Sequence, residues 1–244
     1  MVEVIPAIIA KDYEELKNEI ALVRGLVPVA QIDISDGIFA KNITWPFEAE
    51  ASQAVVLDEH FRRIINEEEG MPFWEDFDFE IDLMVSEPEK AAEEWIVAGA
   101  KRLIFHIESV SDFAVFIKEV RKRYPKDSNG DSVTAEIGAA IGITTPNEAL
   151  YPILDELDSV QFMGIEKIGY QGQPFDERVI PKIRGLRGDR PDYIISVDGG
   201  VGFDTAARLA EAGANRLAVG SVLLKSENIA ETVRDLQKSL SKFN

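Results

Sequence analysis

Two apolar runs in this 244-residue chain each end in an aspartate just before a Gly-marked turn: Val29-Ala30-Gln31-Ile32-Asp33-Ile34-Ser35-Asp36-Gly37 and Ile194-Ile195-Ser196-Val197-Asp198-Gly199-Gly200. A carboxylate at the carboxyl end of a buried strand is held by a rigid element and points into the mouth formed by the loops. Two such groups facing each other can take a proton from one face of a carbon and return one to the other face. A third acid, Asp82, lies inside the apolar run Glu80-Ile81-Asp82-Leu83-Met84-Val85, and residues of its parity share its face. So placed, it has to be paired, hydrogen-bonded or metal-bound. His106, in Phe105-His106-Ile107-Glu108, is the only histidine on an expected strand and reads as a hydrogen-bonded core imidazole or a substrate contact. Asp36 reads as the shaper of the Asp36-Gly37 turn, and His60 as a surface residue.

Glycines supply the second kind of chemistry. Gly169-Tyr170-Gln171-Gly172-Gln173, Asp198-Gly199-Gly200-Val201-Gly202 and Ala218-Val219-Gly220-Ser221 each follow a late apolar run. Gly turns let main-chain N–H groups approach a phosphate closely, and the last loops of a barrel are its usual phosphate site. A single Gly pair is an ordinary tight turn, but three after consecutive strands point to a shared anion grip.

Something must bring these segments to one place. Short apolar or β-branched runs, expected as strands, occur at Val2–Ile9, Pro28–Ile34, Phe77–Val85, Arg102–Ile107, Val133–Ile141, Ser159–Ile165, Tyr193–Val197 and Arg216–Val219. Amphipathic stretches alternate with them, at Tyr13–Leu26, Pro88–Ala98, Asp112–Arg123, Asn147–Leu157, Thr205–Ala212 and Asn228–Leu240. Eight β/α units in this length predict a single-domain α/β TIM barrel spanning residues 1–244, with a doubly wound open sheet as the alternative. On strands two and seven of a closed barrel, Asp33 and Asp198 would face each other across the mouth. An elaborated connection at about 46–78 breaks the spacing, with a helix expected near Ala49–Ile65. Its acidic tail reads as a solvated face, while Trp45, Phe73, Trp74 and Phe77 also allow a lid or dimer contact. Asp127-Ser128-Asn129-Gly130-Asp131 reads as a polar turn.

Composition narrows the function classes. With 44 acidic and 26 basic residues the formal net charge is −18, which repels nucleic acid and anionic membranes. A phosphorylated ligand must therefore meet a local exception, such as main-chain N–H groups. The absence of cysteine excludes disulfides and thiolate ligands or nucleophiles. No apolar stretch approaches the roughly 18 residues of a membrane span, and no signal-like N-terminus is present, so a soluble cytoplasmic protein is expected.

In this order the motifs resemble the ribulose-phosphate 3-epimerase family of ribulose-phosphate-binding barrels. The similarity runs from Ile5-Pro6-Ala7-Ile8-Ile9 through Asp82-Leu83-Met84-Val85 and Thr145-Pro146 to Gly220-Ser221, apart from the long insertion. The resemblance implies epimerisation at C3 of a ketopentose 5-phosphate through an enediolate, with Asp33 and Asp198 as the catalytic proton carriers. It implies phosphate contacts at Gly172, Gly199, Gly200, Gly220 and Ser221. It also implies a divalent metal held by the two aspartates and two histidines, but Gln31 and Asp82 occupy the histidine positions here. Gln31, Asp33, Asp82 and Asp198 would form an all-oxygen metal site favouring Mg²⁺ or Mn²⁺ over Zn²⁺. Without a cofactor, one of the crowded carboxylates would take up a proton. Ala7, Ser35 and Lys167-Ile168 also depart from the family's Ser, Met and Asn-Pro.

Three functions therefore follow from the residues. The first is a sugar-phosphate epimerase acting on a small phosphorylated sugar. The second is a related aldolase- or decarboxylase-type barrel enzyme, whose signature Lys beside the aspartates is missing at Asp33, leaving Lys167 as the nearest. The third is a non-catalytic phosphosugar-binding protein. A homo-oligomer is compatible with all three.

Overall fold

The computed structural model describes residues 2–49, 55–126 and 134–243. Eight parallel strands close into a barrel: β1 (Glu3–Ile8), β2 (Val29–Ser35), β3 (Asp78–Met84), β4 (Arg102–His106), β5 (Glu136–Ile141), β6 (Ser159–Met163), β7 (Ile194–Asp198) and β8 (Arg216–Val219). Each pairs with the next, and β8 pairs with β1 through Glu3↔Arg216 to Pro6↔Val219. Closure excludes the open doubly wound sheet. Around the ring lie α1 (Tyr13–Val23), α2 (Glu59–Ile65), α3 (Pro88–Val97), α4 (Phe113–Arg123), α5 (Val179–Asp189), α6 (Phe203–Ala212), α7 (Ser221–Leu224) and α8 (Ile229–Leu240). Several start where a side chain accepts an otherwise unpaired main-chain N–H: Asp12 from Glu15, Asp112 from Val115 and Asn228 from Glu231.

Strand parity decides what enters the lumen. Along β2, Ala30, Ile32 and Ile34 join the apolar layer under the helices, and Gln31, Asp33 and Ser35 are the buried polar residues that alternate with them. On β3 the polar positions of the same parity are Glu80 and Asp82, in register with Gln31 and Asp33. The amino-terminal end of the lumen holds charge instead of the usual aliphatic layer. There Arg102 contacts Glu3 (3.4 Å), Glu80 (3.5 Å) and Glu136 (3.4 Å), while Arg216 pairs with Glu136 and Glu3.

Two expected helices are not formed as such. The stretch Asn147–Leu157 folds into two 3₁₀ turns, Asn147–Ala149 and Leu154–Glu156. Pro152 lacks the N–H an α-helix needs, and the i→i+3 bonds from Ile153, Glu156 and Leu157 take over. In the elaborated connection, Phe47–Ala49 pairs antiparallel with Val55–Leu57, and only Glu59–Ile65 is helical. The strand expected from Val133 begins at Glu136, and the expected turn at 127–131 lies outside the described residues.

The connection is mostly packed. Trp45 and Phe77 are buried, Phe73 is partly covered, and Trp74 alone of the four is largely exposed, at 62%. His60 is not a free surface residue: its ring stacks on Tyr13 at 3.9 Å, and its Nδ1 lies 2.8 Å from Arg63. The Trp45 indole N–H donates to Asp58 Oδ1 (2.9 Å), which also caps α2 at Phe61 N (3.1 Å). Asp58→Ala should therefore remove a helix cap and strand a buried indole N–H, costing roughly 2–4 kcal/mol. Urea unfolding followed by Trp fluorescence checks this, and a loss within about 0.5 kcal/mol would show that the connection adds little to the fold.

Candidate active site

At the carboxyl end of the barrel, Asp33 from β2, Asp82 from β3 and Asp198 from β7 each place a carboxylate oxygen within 4.8 Å of the others. The adjacency of Asp33 and Asp82 follows from their register pairing. Asp198 arrives from across the ring, as expected for strands two and seven.

Each carboxylate has a distinct environment. Gln31 Nε2 donates to Asp33 Oδ1 at 2.7 Å. Asp82, 0% exposed, has both oxygens engaged: Oδ1 lies 3.0 Å from His106 Nε2, and Oδ2 accepts from Gln161 Nε2 at 3.1 Å. Ser196 Oγ in turn donates to Gln161 Oε1 at 3.3 Å, so the arrangement spans β3, β4, β6 and β7. His106 is a hydrogen-bonded imidazole, 1% exposed, that lines a separate cavity of about 160 Å³ with Phe39, Glu108 and Thr144 and not the one shared by Asp33 and Asp198. Gln161 and Ser196 are not singled out by the motifs. Their signal is a polar residue inside each apolar run, the same one that marks Asp82.

Burial and mutual repulsion both hold protons on this cluster. Burial, then Asp198 and Asp82, push the Asp33 carboxyl well above its ordinary 3.8. Burial and the Asp82 charge raise Asp198 from 3.8 to about 7, against the opposing pull of the Gly199 N–H and His106. For His106, burial favours the neutral ring, yet the adjoining Asp82 outweighs it and raises the imidazole above 6.5. The next layer down behaves alike: burial lifts Glu80 from 4.5 to about 7 despite Arg102 and Arg216.

Asp33 and Asp198 open into a cavity of about 290 Å³ that is also lined by Gly172, Gly199, Gly200, Gly220 and Ser221. All five expected phosphate residues therefore share one space with the two expected proton carriers, whereas Gln31 and Asp82 sit beneath its floor with no exposure. Gly199 (φ 94°) and Gly200 (φ 68°) occupy the left-handed region, and a Cβ on Gly200 would meet Phe175 Cα at 2.8 Å. Among the described residues no lysine lines this cavity, and Lys167 is exposed.

The loop after β6 ties the rim together. Gly164 N donates to Asp198 O at 2.6 Å, and Asn42 Nδ2 donates to Gly169 O at 3.0 Å. Thr44 Oγ1 donates to Asp33 O (3.0 Å) and accepts from Ser35 N (2.8 Å), fixing the end of β2. Asp36 shapes its turn as expected, accepting from Ile38 N and Phe39 N with one oxygen and from Ser86 with the other.

The donor set fits a hard divalent cation. Among the described residues three carboxylates converge, and Gln31 Oε1 is buried without a partner. As oriented, the Gln31 amide turns its nitrogen to Asp33; reversing the amide would bring Oε1 round as a fourth oxygen donor.

Comparison with known proteins agrees with this geometry. A model of the ribulose-phosphate 3-epimerase family matches residues 3–224. The ribulose-phosphate 3-epimerase of Bacillus subtilis is 28% identical over 246 residues, covering 98% of this chain and 100% of that protein. The Eremothecium gossypii protein of the same name is 30% identical over 219 residues, covering 88% and 83%. Among solved structures, KGPDC from Streptococcus mutans superposes with TM-score 0.66 at 14% identity, covering 100% of this chain and 99% of that one. The 3-hexulose-6-phosphate synthase of Salmonella typhimurium gives 0.65 at 14% identity, covering both chains fully at 100%. At such identities the structural likeness shows the fold alone.

The raised carboxyl groups set the pH dependence of stability. Asp198 and Glu80 each hold a proton when folded up to about pH 7 but release it near 3.8 and 4.5 when unfolded. The folded state thus binds more protons across that interval, and its stability falls as pH rises through it. Pairs that lower Glu69, Asp176 and Glu177 act in more acid solution. In the presence of a chelator, Tm should fall by roughly 5 °C or more between pH 5 and 8. Mg²⁺ or Mn²⁺ should restore it at pH 8, and Asp198→Asn should flatten the slope. A Tm that is level across this range, with and without cation, would contradict the crowding.

Proposed function

The chain belongs to the ribulose-phosphate 3-epimerase family, and from that membership and the carboxylate geometry we propose that Asp33 and Asp198 carry the proton across C3 of a ketose phosphate. The observation that carries this reading is that both aspartates line one cavity with the Gly-rich loops after β6, β7 and β8. A ligand gripped at its phosphate by Gly172, Gly199, Gly200, Gly220 and Ser221 extends its carbon chain toward the aspartates.

The chemistry needs one base and one acid on opposite faces of the same carbon. The C3 proton is acidified by the neighbouring carbonyl, and its removal leaves an enediolate. With Asp198 raised to about 7 and Asp33 also raised, the pair retains a proton near neutrality, so one member is charged and the other neutral. The charged member removes the C3 proton, and the neutral one delivers its own to the opposite face. The roles exchange for the reverse reaction. Asp82, held by His106 and Gln161, lies beneath the pair, and its electrostatic effect is one cause of the raised Asp198.

A divalent cation held by Asp33, Asp82 and Asp198, with Gln31 Oε1 as a further donor, would supply positive charge to the enediolate oxygens. These hard oxygens suit Mg²⁺ or Mn²⁺ better than Zn²⁺. The aldolase- or decarboxylase-type alternative has less support, since no lysine among the described residues lines the cavity.

The test is exchange at C3. In deuterated solvent, NMR should show wash-in of deuterium at C3 of a pentulose 5-phosphate, and epimerisation. Asp33→Asn and Asp198→Asn should each slow turnover by about 10²–10⁴-fold while ligand binding survives. Tight binding of the sugar phosphate with no exchange, with and without Mg²⁺ or Mn²⁺, would instead assign a binding role.

A further inference from the structure

The loop after β6 sends one side chain back across the cavity. Gln171 lines the cavity, and its Nε2 donates to Ala7 O, 3.2 Å away at the end of β1. The same amide lies against Gly220: a Cβ built there would meet Nε2 at 3.1 Å and Cδ at 3.2 Å. The β1–β8 register, which pairs Pro6 with Val219, leads on to Ala7 and Gly220. The carboxamide therefore covers the seam between those two strands.

That seam separates the two ends of the site. On one side are Gly220 and Ser221 of the phosphate grip. On the other, Ala7 pairs with Gln31 of β2, two residues before Asp33. A ligand spanning from the grip to the aspartates must pass its intervening carbon along this wall. Ala7 offers no polar side chain there, so the Gln171 amide is the polar group at the seam. One of its N–H groups is spent on Ala7, and its other N–H and its carbonyl have no protein partner among the described residues.

Resting on the ketose-phosphate reading above, we infer that Gln171 is a ligand-binding residue that reads the C4 hydroxyl, between the phosphate-bearing carbon and the reacting one. A hydroxyl both donates and accepts, and the free N–H and carbonyl of one carboxamide match both capacities. The bond to Ala7 O holds the amide in place before the ligand arrives. Gln171 thereby supplies specificity for the carbon chain, where the Gly-rich loops supply affinity for the phosphate.

Binding of two non-reacting probes tests this apart from turnover. A pentitol 5-phosphate has no carbonyl and cannot be epimerised, and inorganic phosphate reports the grip alone. By calorimetry, Gln171→Ala and Gln171→Met should each weaken the pentitol 5-phosphate by about tenfold and leave inorganic phosphate within about twofold. The 4-deoxy pentitol 5-phosphate should bind wild type and both variants alike. Equal weakening of both probes would overturn the inference by showing a loop latch. Full retention in Gln171→Met would overturn it by showing that bulk alone matters. A wild-type protein that binds neither probe would overturn the ketose-phosphate reading itself, and the inference with it.

Discussion

Three carboxylates confined within 4.8 Å of one another in a buried rim cannot all carry full charge without a proton or a cation among them. The crowding is imposed by the strands. Asp33 and Asp82 are cross-strand partners in a parallel ladder, and barrel closure brings Asp198 to the same level. No side-chain rearrangement disperses them, because each lies on a strand whose other face is locked into the apolar layer. Proton retention, the proposed cation site and the proposed division of labour between acid and base all rest on this one arrangement.

The lumen treats charge differently at its two ends. At the amino-terminal end, two arginines lie among three glutamates, and the excess negative charge falls on Glu80, which burial keeps near neutral solution's threshold for ionisation. At the carboxyl-terminal end the donors around Asp82 are His106 and Gln161, with Ser196 behind them. Hydrogen-bond donors satisfy Asp82 while leaving Asp33 and Asp198 facing the cavity. A buried polar cluster of this kind is held by its neighbours, and substitutions on four strands bear on one carboxylate.

Much of this is written in local pattern. Asp33 and Asp198 stand out as a pair because each closes an apolar run before a Gly turn, although one such acid alone is as often a cap or turn former. Eight alternating strand and helix patterns favour a barrel over an open sheet, and closure decides it. Other features escape because their cause is distant or ambiguous. The apolar spacing of Asn147–Leu157 suits a helix and two 3₁₀ turns equally, and Pro152 decides between them. The run Val55-Val56-Leu57 falls inside an expected helix although its β-branched residues pair with Phe47–Ala49. Gln161 is hidden as a single carboxamide in a five-residue strand. The Gln171–Ala7 contact joins residues 164 positions apart, a closeness that only barrel closure creates.

The bond from Gly164 N to Asp198 O joins the loop after β6, which carries Gly172, to the strand that presents the aspartate. Asp198 is followed directly by Gly199 and Gly200, so the proposed phosphate grip and this acid share one backbone unit. A Cβ on Gly164 would lie 2.2 Å from Gly199 O, leaving no slack between the two loops. On the proposed roles, energy gathered at the phosphate, where nothing reacts, would be delivered to the acid that moves the proton. An unphosphorylated sugar would then forfeit that remote contribution, and its penalty would fall on the rate of the chemical step as well as on occupancy.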